Sequence, residues 1–153
     1  MHFAFTEEQA MFRDMFADFA AKEVEPRAEH MAEDEDVPAS LLKKAAMQGF
    51  LGALTPEDYG GAALDPMSYI LLLEEIAKSD MSTAMVLHVH NSLVSQAILL
   101  CGSEAQKEEW LPMLAEGAAF GAWALNEPDS IALGSMQAMA KADGAGYLLH
   151  GTK

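Results

Sequence analysis

The sequence predicts a mainly α protein, in which an N-terminal helical bundle is followed by the first strands of a β-domain (an α+β arrangement). Up to Gly117, apolar residues recur at helical spacing between capping signals, and hydrophobic residues make up 51% of the chain. After Gly117 the spacing becomes that of short strands separated by turn residues. We therefore expect a helical domain over residues 1–117 and the beginning of a β-domain over residues 118–153.

The first helix is predicted from about Glu7 to Glu25. Thr6 is a suitable N-cap, and Gln9 stands three residues later as its capping-box partner. The apolar face of this helix carries four phenylalanines, Phe5, Phe12, Phe16 and Phe19. Proline lacks the amide hydrogen that a helix needs, so Pro26 should end the helix. The acidic run Glu33–Asp36 should then be a loop.

Two shorter helices follow. One is predicted from about Pro38 to Gln48, because Gly49 is a natural residue just past a helix end. The next should begin at the pair Asp65-Pro66, a cap followed by a first-turn proline, and run to about Ser79.

The fourth helix, about Thr83 to Cys101 with Ser82 as its cap, is apolar nearly all round. A helix of this kind is usually buried, so we expect it to be the most buried helix and the centre of the bundle. Ser103 and Gln106 form a second capping box for a fifth helix, about Glu104 to Ala115. Pro112 should kink or shorten that fifth helix.

Three strands are predicted in the last part of the chain, at Phe120–Leu125, Gln137–Lys141 and Tyr147–His150. The residues Asp143–Gly146 have the composition of a tight turn between the last two strands. Three strands make a thin sheet with open edges, and the sequence ends directly after one of them. We therefore expect the β-domain to be truncated at Lys153.

Composition and charge exclude several classes of function. The formal net charge of −15 opposes binding to nucleic acid, which requires a positive surface. Cys101 is the single cysteine, so no internal disulfide can form, and a reducing, cytoplasmic location is expected. The N-terminus has no signal-peptide core. Apolar stretches such as Tyr69–Leu73 are too short to span a bilayer, so no membrane partner is expected.

The residue chemistry alone predicts neither a catalytic constellation nor a metal site. His88 and His90 are two positions apart on a helix and point in different directions, whereas helical zinc pairs are spaced i, i+4. Glu74 and Glu75 are adjacent and do not face each other. Ser130 is not surrounded by a nucleophile-elbow motif. The sequence also lacks the glycine-rich motifs of dinucleotide-binding turns and P-loops.

Three stretches, taken together in their order and spacing, resemble the acyl-CoA dehydrogenase family. They cover essentially the whole chain, and as a set they are specific. The stretches are residues 49–61 with 72–77; residues 89–93 with 102–107 and 111–117; and residues 124–128 with Gly151-Thr152-Lys153 at the end.

The resemblance implies a three-part protein with an N-terminal helical domain, a middle β-domain and a C-terminal helical bundle. FAD and an acyl-CoA substrate lie between these parts in the family. A glutamate of the C-terminal part removes the α-proton, and a hydride leaves the β-carbon for the flavin. By this resemblance the catalytic base lies beyond Lys153, so we assign no catalytic residue to this chain.

The resemblance also implies two groups of binding residues. Trp123, Leu125 and Asn126 match the strand end that lies against the flavin ring, and the family usually has Thr at the position of Asn126. Ser130 matches a flavin-contacting turn, although the loop Asp129–Ser135 is shorter than the family's Gly-Ser-Asp turn and differs from it.

The second group consists of Met85, Val89 and Leu93, which match helix positions that line the acyl pocket. They are spaced i, i+4 and i+8, so they share one face of the helix. From the sequence alone, residues at this spacing can equally be part of the helix core.

The predicted function is therefore part of a FAD-dependent acyl-CoA dehydrogenase that oxidises the α,β C–C bond of an acyl-CoA thioester. The resemblance implies an electron-transfer acceptor, and the open sheet edges predict a homo-oligomer. The isolated chain should be inactive and should bind FAD poorly. The alternative is a truncated or degenerate member of the family that serves as a non-catalytic helical interaction module.

Overall fold

A computed structural model of the chain describes residues 4–34, 36–128 and 136–153. It divides into two compact units, Met1–Ala122 and Trp123–Lys153. The first unit is helical, and the second contains a two-stranded sheet. The mainly α fold class with the start of a β-domain is confirmed.

The helical unit begins with α1, Glu7–Phe19, and its predicted capping box is present. The Gln9 N–H donates to Thr6 Oγ1 at 3.1 Å, and the Thr6 N–H donates to Gln9 Oε1 at 3.1 Å. Two of the first orphan amide groups of the helix are satisfied in this way.

The chain continues in helical turns past Pro26, where a break was expected. A π-helical turn, Ala20–Val24, and a 3₁₀ turn, Glu25–Arg27, lead into α2, Ala28–Asp34. Pro26 lies at the start of the short 3₁₀ turn, where a missing amide hydrogen costs little. The predictions of a helix end at Pro26 and of a loop beginning at Glu33 are therefore wrong.

Helix α3 spans Ala39–Met47, and α4 spans Pro66–Ser79. Between them lie two 3₁₀ turns, Phe50–Gly52 and Glu57–Tyr59. The predicted cap of α4 is confirmed, because Asp65 accepts hydrogen bonds from the backbone amides of the first helical turn.

The next helical stretch runs from Met81 to Cys101 in three parts: α5, Met81–His88; a π-helical segment, Val89–Ser95; and α6, Gln96–Cys101. Its cap is Asp80 rather than Ser82. By length and composition alone this stretch could cross a membrane. The expectation that every apolar stretch is too short is wrong here, although a core helix of a globular domain has the same composition.

This stretch is not the most buried helix. Its buried residues are Thr83, Ala84, Leu87, His90, Asn91 and Ser95, six of 21. Helix α4 buries the same number among only 14. On Met81–Cys101, Met85 is 50% exposed and Leu100 is 76% exposed. The expectation is wrong because the helix packs on the core along one side while its other apolar side faces outward.

Helix α7, Glu104–Ala115, has the predicted capping box between Ser103 and Gln106, and it continues through Pro112 without being shortened. The strand predicted over Phe120–Leu125 is wrong, because these residues form no regular structure. An apolar run becomes a strand only when a neighbouring strand pairs its amide and carbonyl groups. Among the described residues, the paired strands are the two of the hairpin below.

The core of the helical unit lies between α1, α3, α4 and α5 and is rich in phenylalanine. The Phe16 and Phe50 rings meet edge to face with centroids 5.4 Å apart, and Phe19 meets Phe50 at 4.9 Å. Such edge-to-face pairs add to the stabilisation from apolar burial. Leu51, Leu72 and Leu87 are fully buried in the same core.

The second unit contains an antiparallel hairpin of β1, Met139–Asp143, and β2, Gly146–His150. Met139 pairs with His150 at the open end, and Asp143 pairs with Gly146 at the turn. Gly144 has φ +59°, a left-handed conformation that favours glycine in hairpin turns. The two predicted strands are present, with β1 shifted by two residues, and every residue of both is exposed.

Candidate functional site

The π-helical segment Val89–Ser95 carries a buried group of polar side chains in an otherwise apolar helix. Asn91 is fully buried, and its amide nitrogen donates to the carbonyls of Phe50 at 2.9 Å and Leu87 at 3.0 Å. The Ser95 hydroxyl donates to the His90 carbonyl at 2.9 Å, five residues back. These bonds hold the widened helical turn, a feature that is frequent at functional sites.

His90 is 1% exposed and uses both of its ring nitrogens. The Gly121 N–H donates to Nδ1 at 3.2 Å, and Nε2 lies 3.1 Å from the Leu114 carbonyl oxygen. A backbone amide can only donate and a carbonyl can only accept, so Nδ1 is the acceptor and Nε2 carries the proton. Burial lowers the pKa of His90, which favours this neutral form.

The metal interpretation of His88 and His90 has little geometric support. Both nitrogens of His90 are engaged with the backbone. Within residues 4–34, 36–128 and 136–153, no three His, Cys, Asp or Glu side chains lie close enough together to hold a metal ion. The acid-base candidates Glu74 and Glu75 instead share one cation, since Lys78 Nζ lies 3.3 Å from the first and 2.8 Å from the second.

Met85, Val89 and Leu93, the acyl-pocket candidates, cross the junction between α5 and the π-helical segment. Met85 is 50% exposed, and Val89 and Leu93 are half-buried. None of the three belongs to the buried core of the helical unit, whereas Leu87 of the same helix is fully buried. These three apolar side chains are at least partly accessible, and their place in an acyl pocket stays a prediction.

A groove of about 380 Å³ adjoins the same helical segment. Its lining residues are uncharged: Leu54, Pro66, Tyr69, Ile70, Ser92 and Gln96. The Tyr69 and Ser92 hydroxyl oxygens lie 2.8 Å apart in a hydrogen bond, and burial raises the pKa of Tyr69. The Gln96 amide donates to the Leu54 carbonyl at 3.3 Å. This groove suits an uncharged group and offers no ionised side chain for proton transfer.

The sequence patterns did not reveal this groove or the contacts of His90 and Asn91. Their signal was present as polar residues at successive positions of an apolar helix. Such residues predict buried hydrogen bonds, because an unpaired polar group in a core is costly. The long-range partners Leu114, Gly121 and Phe50 could not be identified, since they stand 24 to 41 residues away along the chain.

In the second unit, the flavin candidates Trp123, Leu125 and Asn126 all have exposed side chains. Behind them, the Glu127 carboxylate accepts the N–H groups of Gln137 at 2.6 Å and Ala138 at 2.9 Å. These bonds lower the pKa of Glu127. The fourth candidate, Ser130, lies outside the residues that the structure describes.

Comparisons with known proteins give a consistent result. Residues 6–118 match the family model described as "Acyl-CoA dehydrogenase, N-terminal domain". The chain is 42% identical over 149 residues to an acyl-CoA dehydrogenase of Bacillus subtilis, covering 97% of this chain and 39% of that protein.

Two solved structures are similar in both fold and sequence. Butyryl-CoA dehydrogenase from Megasphaera elsdenii superposes with a TM-score of 0.88 at 34% identity, covering 99% of this chain and 41% of the other. Acyl-CoA dehydrogenase complexed with FAD from Bacillus anthracis superposes with a TM-score of 0.88 at 36% identity, covering 96% and 26%. The chain therefore spans well under half the length of these proteins.

Proposed function

This chain belongs to the acyl-CoA dehydrogenase family, and we propose that it provides the N-terminal helical domain and the start of the middle β-domain of a FAD-dependent enzyme. The enzyme oxidises the α,β C–C bond of an acyl-CoA thioester. The observation that carries the proposal is the apolar row of Met85, Val89 and Leu93, of which the first is 50% exposed and the other two are half-buried, whereas Leu87 of the same helical stretch is fully buried. An acyl chain has the chemistry to cover that row.

FAD supplies the hydride acceptor when it is bound. The exposed residues of the Trp123–Asn126 segment fit one edge of the FAD ring system. Trp123 is 47% exposed and Leu125 is 38% exposed, so both offer apolar surface to a planar ring, and Asn126 offers an amide for hydrogen bonding. The assignment of Ser130 to the flavin rests on the family resemblance alone.

In this proposal, the described residues of this chain orient the bound groups and exclude water. They do not transfer protons. Glu127 is engaged by two backbone amides and by Lys153, so it serves the structure and not the reaction. The glutamate base that the resemblance implies belongs outside this sequence. An electron-transfer acceptor, a homo-oligomeric assembly and a cytoplasmic location complete the proposal.

A chimera with the Bacillus subtilis relative tests this function. The matched 149 residues of the relative are replaced by those of this chain, and the purified chimera is examined for bound flavin and for acyl-CoA oxidation with an artificial electron acceptor. We expect a yellow protein with turnover. A matched Met85→Glu chimera should keep its flavin and lose acyl-CoA oxidation, because a carboxylate in the apolar row opposes an acyl chain.

The alternative function, a non-catalytic interaction module, predicts a different outcome. Its support is the hairpin, in which Tyr147 is 75% exposed and Leu149 is 76% exposed. A chimera that is folded by circular dichroism but colourless would contradict the enzyme proposal and favour this module. The chain by itself should bind FAD weakly and show no turnover, and stoichiometric flavin with turnover in the isolated chain would contradict that expectation.

A further inference from the structure

The segment that leaves α7 is held at both ends by one side chain. His90 Nε2 contacts the Leu114 carbonyl in the last turn of α7, and His90 Nδ1 accepts the Gly121 amide hydrogen. Between these contacts the chain makes a turn at Gly117, which has φ +71°. The Phe120 ring also meets the imidazole edge to face, with centroids 6.3 Å apart.

Gly121 lies too close to the helix for any larger residue. A Cβ atom at this position would be 2.6 Å from Val94 Cγ1 and 2.7 Å from Val94 Cβ. The backbone can therefore approach His90 only because the residue is glycine. The hydrogen bond and the close packing together fix the backbone at Gly121, which precedes Trp123 by two residues in the sequence.

We propose that His90 is a positioning residue, whose ring bridges Leu114 and Gly121 and so sets the course of residues 115–121 as they lead to Trp123–Asn126. This inference rests on the proposed function, in which Trp123–Asn126 borders the flavin. His90 does not touch the reacting groups in this proposal. It acts through the backbone of the segment that it holds.

The neutral imidazole is suited to this role because it carries a donor and an acceptor in one rigid ring. An asparagine at position 90 can place an acceptor near the position of Nδ1, and a glutamine can place an amide donor near the position of Nε2. The two substitutions therefore separate the two contacts. His90→Asn can keep the bond from Gly121, and His90→Gln can keep the bond to Leu114.

The experiment uses the 153-residue chain with Trp110→Phe, so that Trp123 is the remaining tryptophan. Hydrogen exchange of the Gly121 amide and the fluorescence anisotropy of Trp123 are measured in this background and in its His90→Asn and His90→Gln forms. Gln96→Met, which removes a hydrogen bond from the same helix to Leu54, is the matched control. Circular dichroism checks that each form is folded.

We expect Gly121 exchange to accelerate by about tenfold in His90→Gln, which is the effect of losing one hydrogen bond at the upper end of its usual net range. Trp123 anisotropy should fall in the same variant. His90→Asn, which keeps the bond from Gly121 but loses the bond to Leu114, should change both values less than His90→Gln does, and Gln96→Met should leave both unchanged. The positioning role would be overturned if His90→Asn and His90→Gln changed both values equally. It would also be overturned if Gly121 exchange accelerated while the Trp123 anisotropy stayed constant.

A second measurement needs no substitution at position 90. The imidazole ¹⁵N shifts of the unmodified chain should show a protonated Nε2 and an unprotonated Nδ1, and a reversed pattern would overturn the inference even if both variants fail to fold. Neither measurement uses flavin or substrate. A colourless chimera therefore refutes the proposed function without affecting these results, and a failed positioning test leaves the chimera result intact.

Discussion

Lys153 Nζ lies 3.1 Å from Glu127 Oε1, and the same ammonium group donates to the Leu125 carbonyl at 2.9 Å. The Glu127 side chain is only 5% exposed, because the backbone amides of Gln137 and Ala138 also close around it. One ion pair thus joins the exposed Trp123–Asn126 segment to residues on either side of the hairpin. The charged groups bond to backbone, which makes this a connection between segments rather than an isolated surface pair.

The first prediction concerns this connection. Glu127→Gln should speed hydrogen exchange at the Gln137 and Ala138 amides severalfold, because a carboxamide offers one weaker acceptor in place of two charged oxygens. Lys153→Met should have a smaller effect at these amides, since the carboxylate keeps both backbone donors. Lys141→Met removes an equal charge from the exposed strand β1 and is the control. Unchanged exchange in Glu127→Gln would contradict the connection.

The second prediction compares two leucines of one helical stretch. Leu87 is fully buried and Leu93 is half-buried. Leu87→Ala should lower the free energy of unfolding by about 2–5 kcal/mol, the range for truncating a buried leucine. Leu93→Ala should cost clearly less in urea unfolding followed by circular dichroism. Equal costs would show that Leu93 belongs to the core and does not face a ligand.

The third prediction concerns the contact between Gly121 and Val94. Gly121→Ala should destabilise the helical unit, because the added methyl group would meet Val94 side-chain atoms at 2.6–3.0 Å. Val94→Ala should recover part of that loss when the two are combined, since it removes Cγ1 and Cγ2 and leaves only the conflict with Cβ at 2.7 Å. A double-mutant cycle of unfolding free energies measures this coupling. Simple additivity would contradict the close approach.

The features that sequence reasoning predicted correctly are those set by near neighbours. The capping boxes at Thr6 and Ser103 depend on residues three positions apart, and the hairpin turn at Gly144 depends on its own backbone. Both kinds of signal are complete within a few residues. The family resemblance implied Met85, Val89 and Leu93 as acyl-pocket positions, and that assignment stays a prediction.

The errors concern features that distant residues decide. The π-helical segment at Val89–Ser95 is held by Asn91, whose partner Phe50 is 41 residues away. The strand expected over Phe120–Leu125 fails because a strand needs a pairing partner, which composition does not specify. The path past Pro26 is an exception, because it depends on the short 3₁₀ turn that contains this residue.

The last prediction is a pH dependence of stability that arises from His90. Burial lowers the pKa of this imidazole in the folded chain from its ordinary value of 6.5. Below about pH 6.5 the unfolded chain therefore binds a proton that the folded chain does not, so the free energy of unfolding should fall as the pH falls from that value toward the lower folded-state pKa. Above about pH 7 this histidine should contribute no slope.

Urea unfolding of the unmodified chain and of His90→Asn, measured between about pH 5 and pH 8, tests this dependence. The difference in unfolding free energy between the two proteins should shrink as the pH falls, because asparagine has no proton to gain. The same comparison with His150→Asn, which removes an exposed histidine of the hairpin, is the control. A difference that grows toward low pH would mean that the folded chain favours the charged ring, and that result is incompatible with Nδ1 accepting the Gly121 amide hydrogen.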